Sequence, residues 1–235
     1  MQNNRITICA CASRTFIDKE TVMYLSSTLR NKGYEVTVLP DLCKDIMQKI
    51  DNLSDVNSGI VLACYPRAVR SLFDWAGLEA KKIIDIRNST PDKVLSEFPV
   101  LADVPEKQSD KLSLDEIRQF PVETGTDAWY PVLDKERCIE CGKCHDFCLF
   151  GVYTVENKKV KVTNPQNCKN NCPACARMCP SKAIVFPKYE KSPINGGTEE
   201  EETFNSEEMD QMYRERLRIR LQQRRNSVSL LKGNK

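Results

Sequence analysis

A chain of 235 residues with 40% hydrophobic content is long enough to bury one large or two modest cores, which excludes a wholly disordered protein. Its formal net charge of +2 offers no electrostatic footprint for nucleic acid, and no apolar run reaches the roughly 18 residues that a membrane-crossing helix needs. Twelve cysteines behind an N-terminus without secretory character point to the reducing cytoplasm, where thiols serve metal ligation or redox chemistry rather than disulfides.

In chain order, Ile6 to Ile8 reads as a first strand, and Asp18 to Asn31 carries Val22, Leu25 and Leu29 at helical spacing before Lys32 and Gly33 end the helix. Tyr34 to Leu39 is a second strand and Leu42 to Leu53 a second helix. Gly59 to Ala63 is a continuous apolar run of the kind found in buried parallel strands, Arg67 to Gly77 is a third helix, and Lys82 to Ile86 is a fourth strand. Residues 1–90 therefore predict a small parallel α/β domain. Residues 91–133 contain Pro91, Pro99, Pro105, Pro121 and Pro131 and read as a connector, with at most short helices such as Leu114 to Gln119. A second, cysteine-rich domain spans residues 134–190. Residues 191–235 form a tail: Pro193 to Glu202 is Gly-rich and acidic and is expected to be mobile, and Asn205 with Glu208 marks the start of an amphipathic helix. That helix carries Met209, Tyr213, Leu217 and Leu221 on one stripe, with Arg214, Arg216, Arg218, Arg220, Arg224 and Arg225 around it. Its apolar stripe needs a cover, either the body of this chain or an acidic partner surface, and membrane contact ranks below both.

Cys138, Cys141, Cys144 and Cys148 are spaced x2, x2, x3, and Cys168, Cys172, Cys175 and Cys179 are spaced x3, x2, x3 with Pro180 following. Paired Cys-x-x-Cys units also build zinc sites, but zinc does not call for runs that each end in a fourth, outward-reaching cysteine. The two runs repeat internally, each leading into a short apolar strand. This pattern resembles the bacterial two-cluster ferredoxins, which implies an α+β fold and two 4Fe-4S clusters with crossed ligation. On that resemblance Cys138, Cys141, Cys144 and Cys179 hold the first cluster, and Cys168, Cys172, Cys175 and Cys148 the second. Leu149 stands where the family usually has proline, and the second run has one residue more than the common spacing. His145, the single histidine, reads as an exposed neighbour of a cluster rather than a ligand.

Cys9, Cys11, Cys43 and Cys64 fall at the carboxyl ends of the first three predicted strands, the edge where open parallel sheets bind ligands. The bland reading is a small buried hydrophobe, and taken singly Cys43 favours it; together, four thiols on one edge point to a site. Cys9-Ala10-Cys11, Cys43, Leu62 to Arg67, Ala76 to Leu78 and Ile86 to Asn88 resemble the N-terminal cluster-binding module of the heterodisulfide reductase A subunit over about the first ninety residues. That resemblance implies a third 4Fe-4S cluster on Cys9, Cys11, Cys43 and Cys64. The family's flavin domain is absent, Ala12 and Ser13 stand where glycine is usual, and the sequence contains no Gly-x-Gly-x-x-Gly, so neither a flavin nor a nicotinamide site is found.

The leading expectation is a cytoplasmic electron-relay subunit of an oxidoreductase complex, in a setting of anaerobic metabolism, working between redox partner proteins and with no catalytic residue of its own. The alternative is a subunit of a heterodisulfide-reductase-like complex with direct thiol or disulfide chemistry at the N-terminal cluster. A nucleotide-binding module lacks a phosphate loop, and a hydrolase lacks residues for a triad around one histidine.

Overall fold

The computed structural model describes residues 4–48, 53, 56–57, 59–101, 116–117 and 129–198. The apolar run of β1 (Arg5–Cys9) lies at the centre of a parallel sheet between β2 (Glu35–Leu39) and β3 (Ile60–Ala63), and β4 (Lys82–Asp85) pairs with β3 on the outside. Parallel neighbours need crossovers, and helices supply them. Helix α1 (Lys19–Asn31) starts where the Asp18 side chain accepts from the Thr21 amide and buries Val22, Leu25 and Leu29. Helix α2 (Leu42–Met47) is capped in the same way by Asp41 and stops five residues or more before the Leu53 that its apolar pattern suggests. Helix α3 (Pro66–Ala76) opens on a proline, whose missing N–H costs nothing at a helix start, and closes on left-handed Gly77.

The stretch read as a connector is packed at both of its described ends. Helix α4 (Pro91–Leu95) and Phe98 bury apolar side chains in the core of the parallel sheet, and Lys32 Nζ donates to the Leu95 and Phe98 carbonyls at 2.8 and 2.7 Å. At the other end Trp129 and Tyr130 are buried and lead into β5 (Val132–Leu133). Most of the predicted helix Leu114 to Gln119 lies outside the described residues, as do the acidic run Glu199 to Glu202 and the whole C-terminal amphipathic helix.

The cysteine-rich half consists of β5, helix α5 (Lys143–Phe147), a hairpin of β6 (Tyr153–Glu156) and β7 (Lys159–Val162), helix α6 (Ala174–Met178) and β8 (Ile184–Val185), which pairs antiparallel with β5. The β5–β8 ribbon joins the two cores through its period of two. Val132 faces Val185 and both belong to the core of the parallel sheet, while Leu133 faces Ile184 and both belong to the core around the cysteines. Trp75 of α3 reinforces the joint by donating from Nε1 to the Val162 carbonyl at 2.9 Å. The described residues accordingly belong to one compact unit.

The expectation of mobility from Pro193 onward is corrected for residues 193–197. Asn195 is fully buried, its Oδ1 accepts from Ser192 Oγ and the Gly197 amide, and Gly196 lies against Ala68 of α3. Composition suggested a linker, but an asparagine-centred turn satisfies the backbone and lets it approach a helix. Gly196 has φ +96°, and a Cβ there would meet Ala68 Cβ and N at 2.8 Å. Gly196→Ala is therefore expected to destabilise by about 1–3 kcal/mol, read as a fall in the thermal unfolding midpoint, and an unchanged midpoint would contradict this packing.

Candidate metal centres

The two cysteine runs repeat in backbone as well as in sequence. The third cysteine of each, Cys144 and Cys175, is buried in the first turn of a five-residue helix, and the fourth, Cys148 and Cys179, is that helix's C-cap in extended conformation. Gly142, at φ +74°, supplies the left-handed residue that turns the chain between Cys141 and Cys144. The two short helices α5 and α6 touch. One cavity is lined by Cys138, Cys141, Cys144 and Cys179, closed by Leu133, Val160 and Ile184. A second is lined by Cys148, Cys168, Cys172 and Cys175, closed by Val152, Tyr153 and Phe150. Among the described residues no three His, Cys, Asp or Glu side chains close on a single point as one metal ion requires; the thiols line cavity walls instead.

Polar groups already address these sulfurs. Tyr153 Oη donates to Cys175 Sγ at 3.1 Å, and the Ala183 amide donates to Cys179 Sγ at 3.3 Å. Burial pushes the Cys144 and Cys175 thiols up to about 11 and Cys168 up to about 12. It also raises Cys138, and it opposes ionisation of Cys179, where hydrogen bonds from Ser181 and the Ala183 amide outweigh it and bring the thiol below its usual range. Trp129, buried in the core that also holds Cys168, hydrogen-bonds toward that thiol and offsets part of the effect of burial. Neutral buried thiols with donors aimed at sulfur suit a ligand set that gives up its protons to iron on binding. His145 is exposed, with Nδ1 3.0 Å from Asp146 Oδ1.

In the other half, β1 is the point where strand order reverses, since the chain leaves it first for β2 on one side and then crosses to β3 on the other. Loops at such a point open a crevice beyond the carboxyl ends of the strands. Cys9 ends β1, Cys11 follows it at φ +50°, Cys43 lies in the first turn of α2, and Cys64 follows β3. All four are buried, at 2–7% exposure. Burial and the neighbouring Cys11 raise the Cys64 thiol. Burial pushes Cys43 up to about 12 and raises Cys9 well above its usual value, while the Leu42 amide donates to Cys9 Sγ at 3.4 Å.

Three contributors to this second site escape a reading of the sequence. Tyr130 Oη donates to the Cys43 carbonyl at 2.6 Å, Ser13 donates to Asp41, and Lys188 lies between Asp41 and Cys11. The Asp41 cap before α2 was the one local signal available; nothing near residues 130 or 188 announces that they reach the first sheet.

No family model matches the chain. Among curated proteins it is 51% identical over 61 residues to an uncharacterized ferredoxin of Methanocaldococcus jannaschii, covering 26% of this chain and 42% of that protein. It is 32% identical over 88 residues to Ferredoxin-3 of Nostoc sp., covering 28% of this chain and 90% of the relative. It is also 37% identical over 62 residues to the pyruvate synthase subunit PorD of Methanocaldococcus jannaschii, covering 26% of this chain and 70% of that subunit. The chain thus spans less than half of the first relative, and each match involves only about a quarter of its own length. A protein that covers 90% of one ferredoxin at this identity, with eight cysteines in two repeated runs, belongs to the ferredoxin family.

Proposed function

We propose that the chain is an electron-relay protein that carries two 4Fe-4S clusters on its ferredoxin half and a third on Cys9, Cys11, Cys43 and Cys64, and that it passes electrons between partners within a larger cytoplasmic oxidoreductase complex. One observation carries the proposal: eight cysteines line two cavities in two groups of four, each group taking three thiols from one run and the fourth from the other. This is the ligation that two cubanes need and that a single zinc ion, with donors about 2.3 Å from one point, does not. When bound, each cluster supplies a one-electron centre. The chain's own residues hold it, exclude water and donate hydrogen bonds to sulfur, as Tyr153 and the Ala183 amide do. Relatives named as pyruvate synthase subunits support a place in a larger complex, and among the described residues no helix is long and apolar enough to cross a membrane.

The third cluster is supported by the convergence of four buried thiols at the β1/β3 crevice. The same burial weighs against the alternative of direct thiol or disulfide chemistry there, since a substrate needs access to the site. Iron and acid-labile sulfide counts on anaerobically purified full-length chain test the proposal. About twelve irons per chain are expected, four for each four-cysteine set, and about eight would remove the N-terminal cluster from the reading.

A further inference from the structure

The four N-terminal thiols have a counter-charge that comes from the far end of the described chain. Lys188 lies three residues beyond β8, and its side chain is 4% exposed. Its Nζ stands 2.8 and 2.7 Å from the two Asp41 oxygens and 3.9 Å from Cys11 Sγ. The backbone is fastened too, because Arg14 Nε donates to the Lys188 carbonyl at 3.1 Å. Asp41 is in turn fixed as the cap of α2 two residues before Cys43 and accepts from Ser13.

A buried ion pair is a poor device for stability, because desolvation of both charges offsets most of their attraction. This one has its positive end against a sulfur that is read as a cluster ligand. Reduction of a thiolate-bound cluster adds one negative charge without breaking a bond, so a fixed ammonium beside a ligand sulfur favours the reduced state and a fixed carboxylate disfavours it. We propose that Lys188, oriented by Asp41, is the positioning residue that sets the reduction potential of the N-terminal cluster, so that the ferredoxin half supplies a charge that tunes the N-terminal centre. The inference rests on the reading of Cys9, Cys11, Cys43 and Cys64 as cluster ligands.

The two members of the pair predict opposite shifts. EPR-monitored potentiometric titration of the full chain, reconstituted under anaerobic conditions, isolates the N-terminal signal as the one that Cys64→Ser removes. Lys188→Met moves the midpoint of that signal alone to more negative potential, Asp41→Asn moves it to more positive potential, and Lys188→Arg restores it towards the wild-type value. A pair that serves packing alone moves both variants in the same direction or neither, and either result overturns the inference. Should Lys188→Met fail to assemble the site, Asp41→Asn decides by itself, a rise supporting the inference and no rise overturning it. If the Cys64→Ser variant keeps every signal of the wild-type chain, the cluster reading itself is overturned, and the role of Lys188 with it; three clusters with unshifted midpoints overturn the role of Lys188 only.

Discussion

Cys175→Ala is expected to abolish one cluster and to loosen the whole ferredoxin half. Cys175 is buried, shares its cavity with Cys148, Cys168 and Cys172, and accepts from Tyr153 Oη. Alanine leaves three thiols for four iron corners and strands the buried tyrosine hydroxyl, a loss of about 1–3 kcal/mol for the unpaired donor alone. The core of this half is small and counts the cysteines themselves among its members, with Trp129, Leu133, Val152, Tyr153, Ile184 and Phe186 as the main apolar side chains. A core of this size depends on its clusters for cohesion. Iron content falls by about four per chain, one reduced-state EPR signal disappears or converts to a three-iron type, and the thermal midpoint drops. Cys141→Ala, at an exposed position in the other cavity, removes the other signal with less unpacking. Two intact and magnetically coupled signals in either variant would reject the ligand assignment.

The second large effect is expected at Arg67→Met. Arg67 sits in the first turn of α3 and donates from Nε to Asp134 Oδ2 at 2.6 Å, from Nη1 to the Pro193 carbonyl at 3.4 Å and from Nη2 to the Lys182 carbonyl. The Arg67 and Asp134 side chains are 15% and 10% exposed. Asp134 also receives the Glu136 and Arg137 amides and lies 3.7 Å from Arg137 Nε, so it stays fixed at the start of the cysteine-rich half when Arg67 is removed. The half-exposed Arg137 compensates Asp134 only in part, so the expected loss lies between the at most about 1 kcal/mol of an exposed pair and the roughly 3–5 kcal/mol of a wholly uncompensated buried charge. The readout is the denaturation midpoint, followed both by far-ultraviolet circular dichroism and by cluster absorbance. The double variant Arg67→Met, Asp134→Asn recovers part of the loss, because it removes the carboxylate that has lost its better-buried partner. A single-variant loss below about 1 kcal/mol would class the contact as a surface ion pair and not as the clamp between the two halves.

Much of this molecule is legible locally. The strand and helix order of the first ninety residues follows from apolar runs and helical spacing, with caps such as Asp18 and Gly77 within a residue or two of where the pattern puts them. Element ends drift where packing decides them, as at α2, which ends at Met47 rather than near Leu53. Composition misled at one place: Gly196 and Gly197 suggested a mobile tether where an asparagine turn lies against α3. The cause is that glycine reports backbone conformation, and a turn residue looks the same in solvent as when it is pressed against a helix.

What the sequence determined by itself is the set of parts: twelve thiols in three groups of four, two of them in repeated runs whose spacing matches the ferredoxins, and a parallel α/β order that brings the remaining group to one edge. These are short-range properties, since ligand spacing within a loop and the periodicity of an element depend on neighbours a few residues away. The tertiary structure alone decided how the parts meet. It set Lys188 against Asp41 and Cys11, Tyr130 on the Cys43 carbonyl, and Arg67 on Asp134, contacts between residues 147, 177, 87 and 67 positions apart. No propensity or motif encodes such pairs, because each forms only after the β5–β8 ribbon has joined the two cores and removed those side chains from water, where a charge or a hydroxyl needs no particular partner and in the interior must have one.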